Sequence, residues 1–330
     1  MPQAASTGAI VLHEHGGPDV LKWEQQDLAS PGRGQVQLRH TAIGINFIDV
    51  YDRTGLYPGK LPAIPGREAA GVIVAIGPKA PGFRIGQRVA YFSAPGAYCE
   101  MRNIDVDKLV KLPAAVTDDQ AAAVMLKGLT AEYLLRRTYR VSRGDFVVVH
   151  AAAGGAGSLI TQWGRSLGAR IIGIVGSEQK AVLARKQGCH RVLISGTDDI
   201  VEGVRDFTRG RMAHVVYDSV GKDTFMQSLD CLRARGMMVA FGNASGPPPP
   251  VAPAELQRRG SLFLTRPTLF DYVRERADLD PAARALFSQL RTRTLKVKVG
   301  QRYPLREAAQ AHRDLEARRT SGATLLIPGG

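Results

Sequence analysis

The chain has 330 residues, of which 44% are hydrophobic, and this is sufficient for two domains with sizeable cores. Its formal net charge is +14, but the basic residues lie in short clusters such as Arg136-Arg137 and Arg258-Arg259. This scatter favours a solvated surface that attracts anionic cofactors over a nucleic-acid interface, which stays open as an alternative. No apolar run approaches the roughly 20 residues of a membrane helix, and residues 1–9 lack a secretory pattern. We therefore expect a cytoplasmic protein without a membrane partner.

The three cysteines, Cys99, Cys189 and Cys231, are widely spaced. An odd and scattered set provides neither a disulfide framework nor a zinc motif. We expect ordinary thiols in a reducing compartment.

The first 125 residues have the pattern of a β-rich module. Short apolar runs such as Val36–His40, Ala70–Ile76 and Gln87–Tyr91 alternate with Gly and Pro. From Asp118 to Arg137 the apolar residues recur at helical spacing instead. This change marks the transition to a second kind of architecture.

Strands and helices alternate regularly from Asp145 onward, which predicts a parallel sheet with helices on both faces. The predicted strands are Asp145–His150, Arg170–Val175, Arg191–Ser195, His214–Asp218 and Met237–Phe241. The predicted helices between them are Ala156–Leu167, Gln179–Gln187, Ile200–Thr208 and Asp223–Leu232. Later elements are strands at Ser261–Thr265 and Ala323–Ile327 and helices at Pro281–Arg291 and Glu307–Arg319.

The turn His150-Ala151-Ala152-Ala153-Gly154-Gly155-Ala156-Gly157 follows the first of these strands and opens a helix. Gly154 and Gly155 allow close approach of the backbone to a pyrophosphate, and Gly157 allows close packing of helix and strand. The amide of Ala156 belongs to the helix N-terminus, whose N–H groups attract phosphate. Because the turn lies in a strand-turn-helix-strand unit, it predicts a dinucleotide site.

The end of the next strand indicates which nucleotide binds. An NAD site usually has an acidic residue there for the ribose 2′-hydroxyl, whereas this chain has Gly176 and Ser177. Ser177 and Lys180 are suited to a 2′-phosphate, which favours NADPH. Glu178 leaves the alternative open that it takes the NAD role, or that it faces solvent.

These residues identify a resemblance to the quinone oxidoreductases (ζ-crystallin-like) of the medium-chain dehydrogenase/reductase superfamily, closest to bacterial NADPH:quinone reductases. The similarity covers nearly the whole chain. It includes Gly44-Ile45-Asn46-Phe47-Ile48-Asp49, Lys127-Gly128-Leu129-Thr130, the Ala151–Gly157 turn and Val216-Tyr217-Asp218-Ser219-Val220-Gly221.

The resemblance implies an α/β fold made of two domains. A GroES-like β-rich catalytic domain comprises residues 1–126 and 268–330, and a Rossmann-like doubly wound parallel-sheet domain comprises residues 127–267. It further implies that Ala323–Ile327 returns to the first domain and that the active site lies in the interdomain cleft. A homodimer is expected, with Ser261–Thr265 as the candidate edge strand.

The resemblance also assigns site residues. Asn46, Phe47 and Tyr51 are expected near the nicotinamide, and Asn46, Tyr51 and Tyr57 are the candidate catalytic residues. Cofactor contacts are expected from a larger group that also includes the glycine turn. The alternatives are that Thr130 is only a helix cap and that Ser219, Phe241 and Asn243 are ordinary loop residues. That group is Thr130, Gly176, Ser177, Lys180, Ser195, Ser219, Phe241, Gly242, Asn243 and Arg318.

The zinc-ligand positions of the superfamily bear on the metal, and two departures from close relatives, at Ser195 and Arg67, bear on the cofactor and the cleft. Zinc enzymes of the superfamily have Cys where this chain has Asn46 and His where it has Arg67, and neither replacement suits catalytic zinc. We expect no metal. Close relatives have Tyr in place of Ser195. Arg67 either reshapes the cleft mouth and favours an anionic acceptor or forms a salt bridge with a surface acid.

The predicted reaction is transfer of reducing equivalents from NADPH to a quinone, or to another electron-poor acceptor, without a metal. The cofactor supplies the chemistry while the protein aligns it with the acceptor and excludes water. An enone reductase on the same scaffold is the first alternative. An RNA-binding ζ-crystallin-like protein is the alternative from another class, which the net charge permits.

Overall fold

The computed structural model describes residues 5–92 and 95–329 of the chain. The chain divides into two compact units. The first is drawn from residues 1–126, 275–287 and 297–330, and the second consists of residues 127–274 and 288–296. The assignment of the two predicted domains to residues 1–126 with 268–330 and to residues 127–267 stays a prediction.

The strands of the described residues, in chain order, are β1 (Ala5–Leu12), β2 (Leu21–Leu28), β3 (Gln35–Gly44), β4 (Glu68–Ile76), β5 (Arg88–Phe92), β6 (Met101–Asp105), β7 (Leu109–Lys111), β8 (Phe146–His150), β9 (Arg170–Val175), β10 (Arg191–Ile194), β11 (Ala213–Asp218), β12 (Leu232–Ala240), β13 (Phe263–Thr265), β14 (Val299–Pro304) and β15 (Ala323–Ile327).

The α-helices are α1 (Phe47–Thr54), α2 (Asp118–Tyr133), α3 (Gly155–Ser166), α4 (Glu178–Gln187), α5 (Ile200–Thr208), α6 (Phe225–Asp230), α7 (Pro253–Arg258), α8 (Leu269–Tyr272), α9 (Arg276–Arg291) and α10 (Ala308–Glu316). Among the residues that the structure describes, no helix is long and apolar enough to cross a membrane.

The first unit is built on a seven-stranded sheet with the order β14-β15-β3-β4-β5-β7, in which β6 also pairs with β3. Most of its pairs are antiparallel, as in β3 with β4 and β4 with β5. Strand β15 pairs with β3 through Leu325 opposite Gly44 and Leu326 opposite Ile43. The predicted return of Ala323–Ile327 to the first module is therefore confirmed.

The second unit contains a six-stranded parallel sheet with the order β10-β9-β8-β11-β12-β13. All five residues of β8 are buried, as expected for a strand that is covered on both faces of its sheet. The strand order runs outward in both directions from β8 and β11. The carboxyl ends of these two strands therefore form the switch point at which ligands of doubly wound sheets bind.

Three predicted helices differ from the observed ones by three or more residues at one end. The helix predicted to reach Arg137 is α-helical only to Tyr133, and residues 134–138 form a wider π turn. Helix α9 begins at Arg276, ahead of the predicted start at Pro281, because the Glu275 carbonyl accepts hydrogen bonds from the amides of the turn before the proline. The last helix ends at Glu316 rather than at Arg319.

Candidate functional site

The glycine turn lies between the buried strand β8 and helix α3. Gly154 precedes the first helical residue, Gly155, and the first turn of the helix contains no acidic side chain. A Cβ atom on Gly157 would lie 2.3 Å from the carbonyl oxygen of Ala151, so only glycine permits this approach of helix and turn. Ala151 and Gly154 are exposed. The turn therefore presents free helical N–H groups, which fits the pyrophosphate of a dinucleotide.

The end of β9 presents small and basic groups next to this turn in the sheet. Gly176 is exposed, and a Cβ atom there would meet nothing within 4 Å. Ser177 caps helix α4 by accepting a hydrogen bond at Oγ from the Lys180 amide at 3.3 Å. Because the serine oxygen accepts this bond, its own hydrogen stays available to donate to a phosphate. Glu178 is exposed and is the first residue of α4.

The ends of β10, β11 and β12 bring further predicted residues to the same edge of the sheet. Ser195 is exposed directly after β10, and its amide donates to the Val175 carbonyl at 2.8 Å. A Cβ atom on Gly242 would lie 2.4 Å from the Ser219 carbonyl oxygen, so the loops after β11 and β12 are in close contact. Phe241, Gly242 and Asn243 are half-buried there.

A buried polar network beneath this edge was missed by the sequence reasoning. His150, Asp218 and Ser228 are each at most 1% exposed, and Ser228 Oγ lies 2.8 Å from both His150 Nε2 and Asp218 Oδ2. Burial lowers the pKa of His150, and Asp218 opposes this effect. The available signal was that His150 and Asp218 are the last residues of two neighbouring strands, one of which opens the glycine turn.

The first unit contains the candidate catalytic residues around helix α1. Asn46 is buried at the start of this helix, and its Nδ2 donates to Glu68 Oε1 at 2.8 Å. The ring centroids of Tyr51 and Tyr57 lie 5.3 Å apart in an edge-to-face arrangement, and that of Phe47 lies 6.5 Å from that of Tyr51. Phe47, Tyr51 and Tyr57 thus form one aromatic cluster, and Asn46 precedes Phe47 at the N-terminus of the same helix.

Helix α1 is held from its buried side by Asp49. Its Oδ2 accepts from the Asn46 amide at 2.8 Å and from the Tyr98 hydroxyl at 3.1 Å. Burial raises the pKa of Asp49 to about 7, whereas the Asn46 hydrogen bond and Arg67 act in the opposite direction. Asp49 therefore fixes the orientation of the chain at Asn46.

Arg67 forms a two-pronged ion pair with Asp52, with both hydrogen bonds at 2.7 Å. Both side chains are largely buried, at 12% and 14% exposure. Of the two alternatives for Arg67, the salt bridge is therefore confirmed, with a partner on helix α1.

Two predicted site residues lie where the sequence reasoning did not expect them. Thr130 is buried inside helix α2 rather than near its start, so a capping role for it is wrong. Arg318 is exposed two residues beyond the end of α10, with a left-handed φ of 59°. Its predicted position on the last helix is therefore wrong.

The two residues at the positions of the zinc ligands interact with carboxylate side chains of the protein. Asn46 donates to Glu68, and Arg67 pairs with Asp52. Among residues 5–92 and 95–329, no group of three or more His, Cys, Asp or Glu side chains could hold a metal ion. The three cysteines are free and buried, and burial raises the pKa of each, to about 12 for Cys99 and Cys231 and about 11 for Cys189.

Two known domain families match the chain. Residues 32–142 match the alcohol dehydrogenase GroES-like domain, and residues 155–286 match the family described as zinc-binding dehydrogenase. The predicted pairing of a GroES-like module with a Rossmann-like module is confirmed.

Curated relatives match over almost their full lengths. Quinone oxidoreductase 1 of Escherichia coli (strain K12) is 47% identical over 97% of this chain and 99% of its own length. The 2-haloacrylate reductase of a Burkholderia species is 46% identical over 97% of this chain and 98% of its own length.

The fold agrees equally closely with a solved structure. The crystal structure of Escherichia coli quinone oxidoreductase complexed with NADPH matches with a TM-score of 0.95 and 46% identity, over 98% of this chain and 100% of that one. The glycine turn, the parallel sheet and these full-length similarities together show that the chain belongs to the quinone oxidoreductase family of the medium-chain dehydrogenase/reductase superfamily.

Proposed function

We propose that this chain is an NADPH-dependent quinone reductase that works without a metal. The observation that carries the proposal is the full-length similarity to Escherichia coli quinone oxidoreductase, whose NADPH complex has the same fold with a TM-score of 0.95. NADPH, when bound, supplies the hydride. The residues of this chain have to bind it, orient it and hold the acceptor.

The carboxyl edge of the parallel sheet is suited to the cofactor. The pyrophosphate is proposed to lie against the turn formed by Gly154, Gly155, Ala156 and Gly157, where N–H groups point out of α3. The loops after β11 and β12, with Ser219, Phe241, Gly242 and Asn243, are proposed to border the riboses. Thr130 is proposed as a further cofactor contact.

The ribose 2′-phosphate is proposed to bind at the end of β9. Ser177 supports this because its oxygen already accepts the Lys180 amide, which leaves its O–H as a donor. Lys180 supplies a positive charge, and Gly176 leaves open space. Arg318 and Ser195 are proposed as further contacts. The position that holds an acidic residue in NAD sites has none here.

The acceptor is proposed to bind against the cluster on α1. The Asn46 amide nitrogen carries two hydrogens, of which one is donated to Glu68, so the second is able to bind a carbonyl oxygen of the nicotinamide or the acceptor. Tyr51 and Tyr57 offer ring faces for a flat quinone and hydroxyl groups for proton exchange. Glu68 and Asp49 hold Asn46 in one orientation.

The proposal also includes the location of the protein in the cell and its oligomeric state. We propose a cytoplasmic homodimer that forms through edge strand β13. This strand ends the six-stranded sheet, and it exposes Phe263 at 57% and Leu264 at 39%. Exposed apolar residues on an unpaired strand edge favour pairing with a second copy.

The second candidate is reduction of an activated double bond. The observation in its favour is the 46% identity with a 2-haloacrylate reductase. Steady-state oxidation of NADPH with 1,4-benzoquinone, 9,10-phenanthrenequinone, small enones and 2-chloroacrylate separates the two functions. We expect kcat/KM to be at least about tenfold higher for the quinones. A preference of the same size for the enones or 2-chloroacrylate would overturn the choice of quinone as the acceptor.

A further inference from the structure

Asp218 is a fully buried carboxylate at the end of β11, directly beneath the edge of the sheet assigned to the cofactor. We propose that Asp218 is a positioning residue that fixes three cofactor-binding loops in one arrangement and thereby sets the affinity for NADPH. The inference rests on the proposed function, because it concerns the same site.

The side chain of Asp218 receives four hydrogen bonds. Oδ1 accepts from the amides of Val220 at 2.7 Å and Gly221 at 3.1 Å. Oδ2 accepts from the hydroxyl groups of Thr224 at 2.7 Å and Ser228 at 2.8 Å. A buried carboxylate with four donors is satisfied by hydrogen bonding rather than by a cation. The loop that follows β11 is therefore folded around this one side chain.

The backbone of the same segment holds the loop after β12. The Asp218 carbonyl accepts from the Phe241 amide at 2.8 Å, and the Ser219 carbonyl accepts from the Ala244 amide at 3.2 Å. The contact is close, because a Cβ atom on Gly242 would lie 2.4 Å from the Ser219 oxygen. A displacement of residues 218–219 must therefore also displace residues 241–244.

Ser228 extends the network to the glycine turn. Its hydroxyl donates to Asp218, so its oxygen accepts from His150, whose Nε2 must carry the hydrogen. Burial lowers the pKa of His150 and keeps the ring neutral. His150 is the last residue of β8 and directly precedes Ala151, the first residue of the turn. The chain of bonds therefore joins the turn after β8 to the loops after β11 and β12.

The three side chains do not form a hydrolytic triad. Ser228 is completely buried, and its hydrogen bond is donated to the carboxylate and not to the histidine. No substrate is able to reach its oxygen. The role that remains for this set is to hold the loops in place.

The test uses the full chain, with NADPH binding measured by isothermal titration calorimetry in the absence of an acceptor. Asp218→Asn keeps the size of the side chain but replaces one accepting oxygen with an amide group. Ser228→Ala removes the link to His150 together with one of the four hydrogen bonds to Asp218. We expect the Kd for NADPH to rise about tenfold in Asp218→Asn and about threefold in Ser228→Ala, in line with hydrogen bonds of ordinary strength. Because the loops hold the cofactor, KM for NADPH should rise more than kcat falls.

The matched control is Asp145→Asn. Asp145 lies at the opposite end of β8 and accepts from the Ser142 amide at 2.8 Å and the Tyr139 hydroxyl at 3.3 Å. The Asp145→Asn substitution should lower the Tm without changing the Kd for NADPH. If Asp218→Asn and Ser228→Ala behaved like this control, with a lower Tm and an unchanged Kd, the positioning role would be overturned. If the unaltered protein did not bind NADPH, the proposed function itself would fail.

Discussion

Gly157 illustrates what a single residue determines in this molecule. Its hydrogen atom is the only side chain that allows α3 to approach the Ala151 carbonyl, because a Cβ atom would lie 2.3 Å from that oxygen. The spacing of Gly154, Gly155 and Gly157 after an apolar strand made this turn predictable from the sequence. The positions of His150 and Asp218 at two strand ends were a signal of their proximity, but their link through Ser228 was not predictable, because His150 and Ser228 are 78 positions apart and meet only in the fold.

Replacement of Gly157 by alanine should weaken cofactor binding. The new methyl group forces α3 away from the turn, so the N–H groups lose their alignment, and we expect the Kd for NADPH to rise at least about tenfold. Titration calorimetry measures this directly. Gly17→Ala is the control, since a Cβ atom there meets nothing within 4 Å. Equal affinities in the two variants would contradict the assigned role of the turn.

The buried side chain of His40 should make the stability of the protein depend on pH. Its Nδ1 donates to the Cys99 carbonyl, its Nε2 accepts from the Tyr91 hydroxyl, and burial, assisted by Arg102, lowers its pKa to about 3. In the unfolded chain His40 binds a proton near pH 6.5, whereas in the folded chain it stays neutral at that pH. The contribution of the neutral His40 to stability is therefore fully present above pH 6.5. It is lost progressively as the pH falls from 6.5 towards 3.

The measurement is the free energy of unfolding in urea at pH 7.5 and pH 5. For His40→Gln, the loss of stability between these two pH values should be about 2 kcal/mol smaller than for the unaltered chain. His312, whose pKa is also lowered, and Asp49, whose pKa is raised, contribute equally to both proteins and cancel in the comparison. The same loss in both proteins would show that His40 is not the group responsible.

At the scale of elements, the strands and helices with strong periodicity were predicted well. Strand β9, helix α5 and strand β15 agree with the prediction residue for residue. The errors lie at the ends of elements, where local hydrogen bonds decide the outcome, and they include β12, which begins at Leu232 rather than at the predicted Met237. Pro281 indicated a helix start, but the Glu275 carbonyl supports a turn ahead of it. Such bonds leave no pattern in the sequence.

Strand β13 is the element on which the proposed homodimer depends. Phe263→Glu places a charge on its exposed edge, where burial in an interface would be costly. We expect light scattering after size exclusion to show the dimer mass for the unaltered chain and the monomer mass for this variant. Ile85→Glu, at an apolar residue that is 65% exposed in the other unit, should leave the dimer intact. A dimeric Phe263→Glu variant would exclude this edge as the interface.

At the scale of the whole molecule, the alternation of elements after Asp145 predicted the parallel sheet, and the short runs before residue 125 predicted the β-rich module. The return of β15 to the first sheet followed only from the family resemblance, because local periodicity carries no information on which distant strand it pairs with. The choice of acceptor also depends on the relatives, since Asn46, Tyr51 and Tyr57 are suited to several flat, electron-poor molecules.

The central claim, that the chain is an NADPH-dependent quinone reductase, is tested most directly by steady-state kinetics with NADPH and NADH at a fixed concentration of 1,4-benzoquinone. Ser177 and Lys180 at the end of β9, with no acidic residue in the position that binds a free ribose 2′-hydroxyl, predict a kcat/KM at least about tenfold higher for NADPH. A tenfold preference for NADH, or no oxidation of either nucleotide by the quinone, would contradict the account.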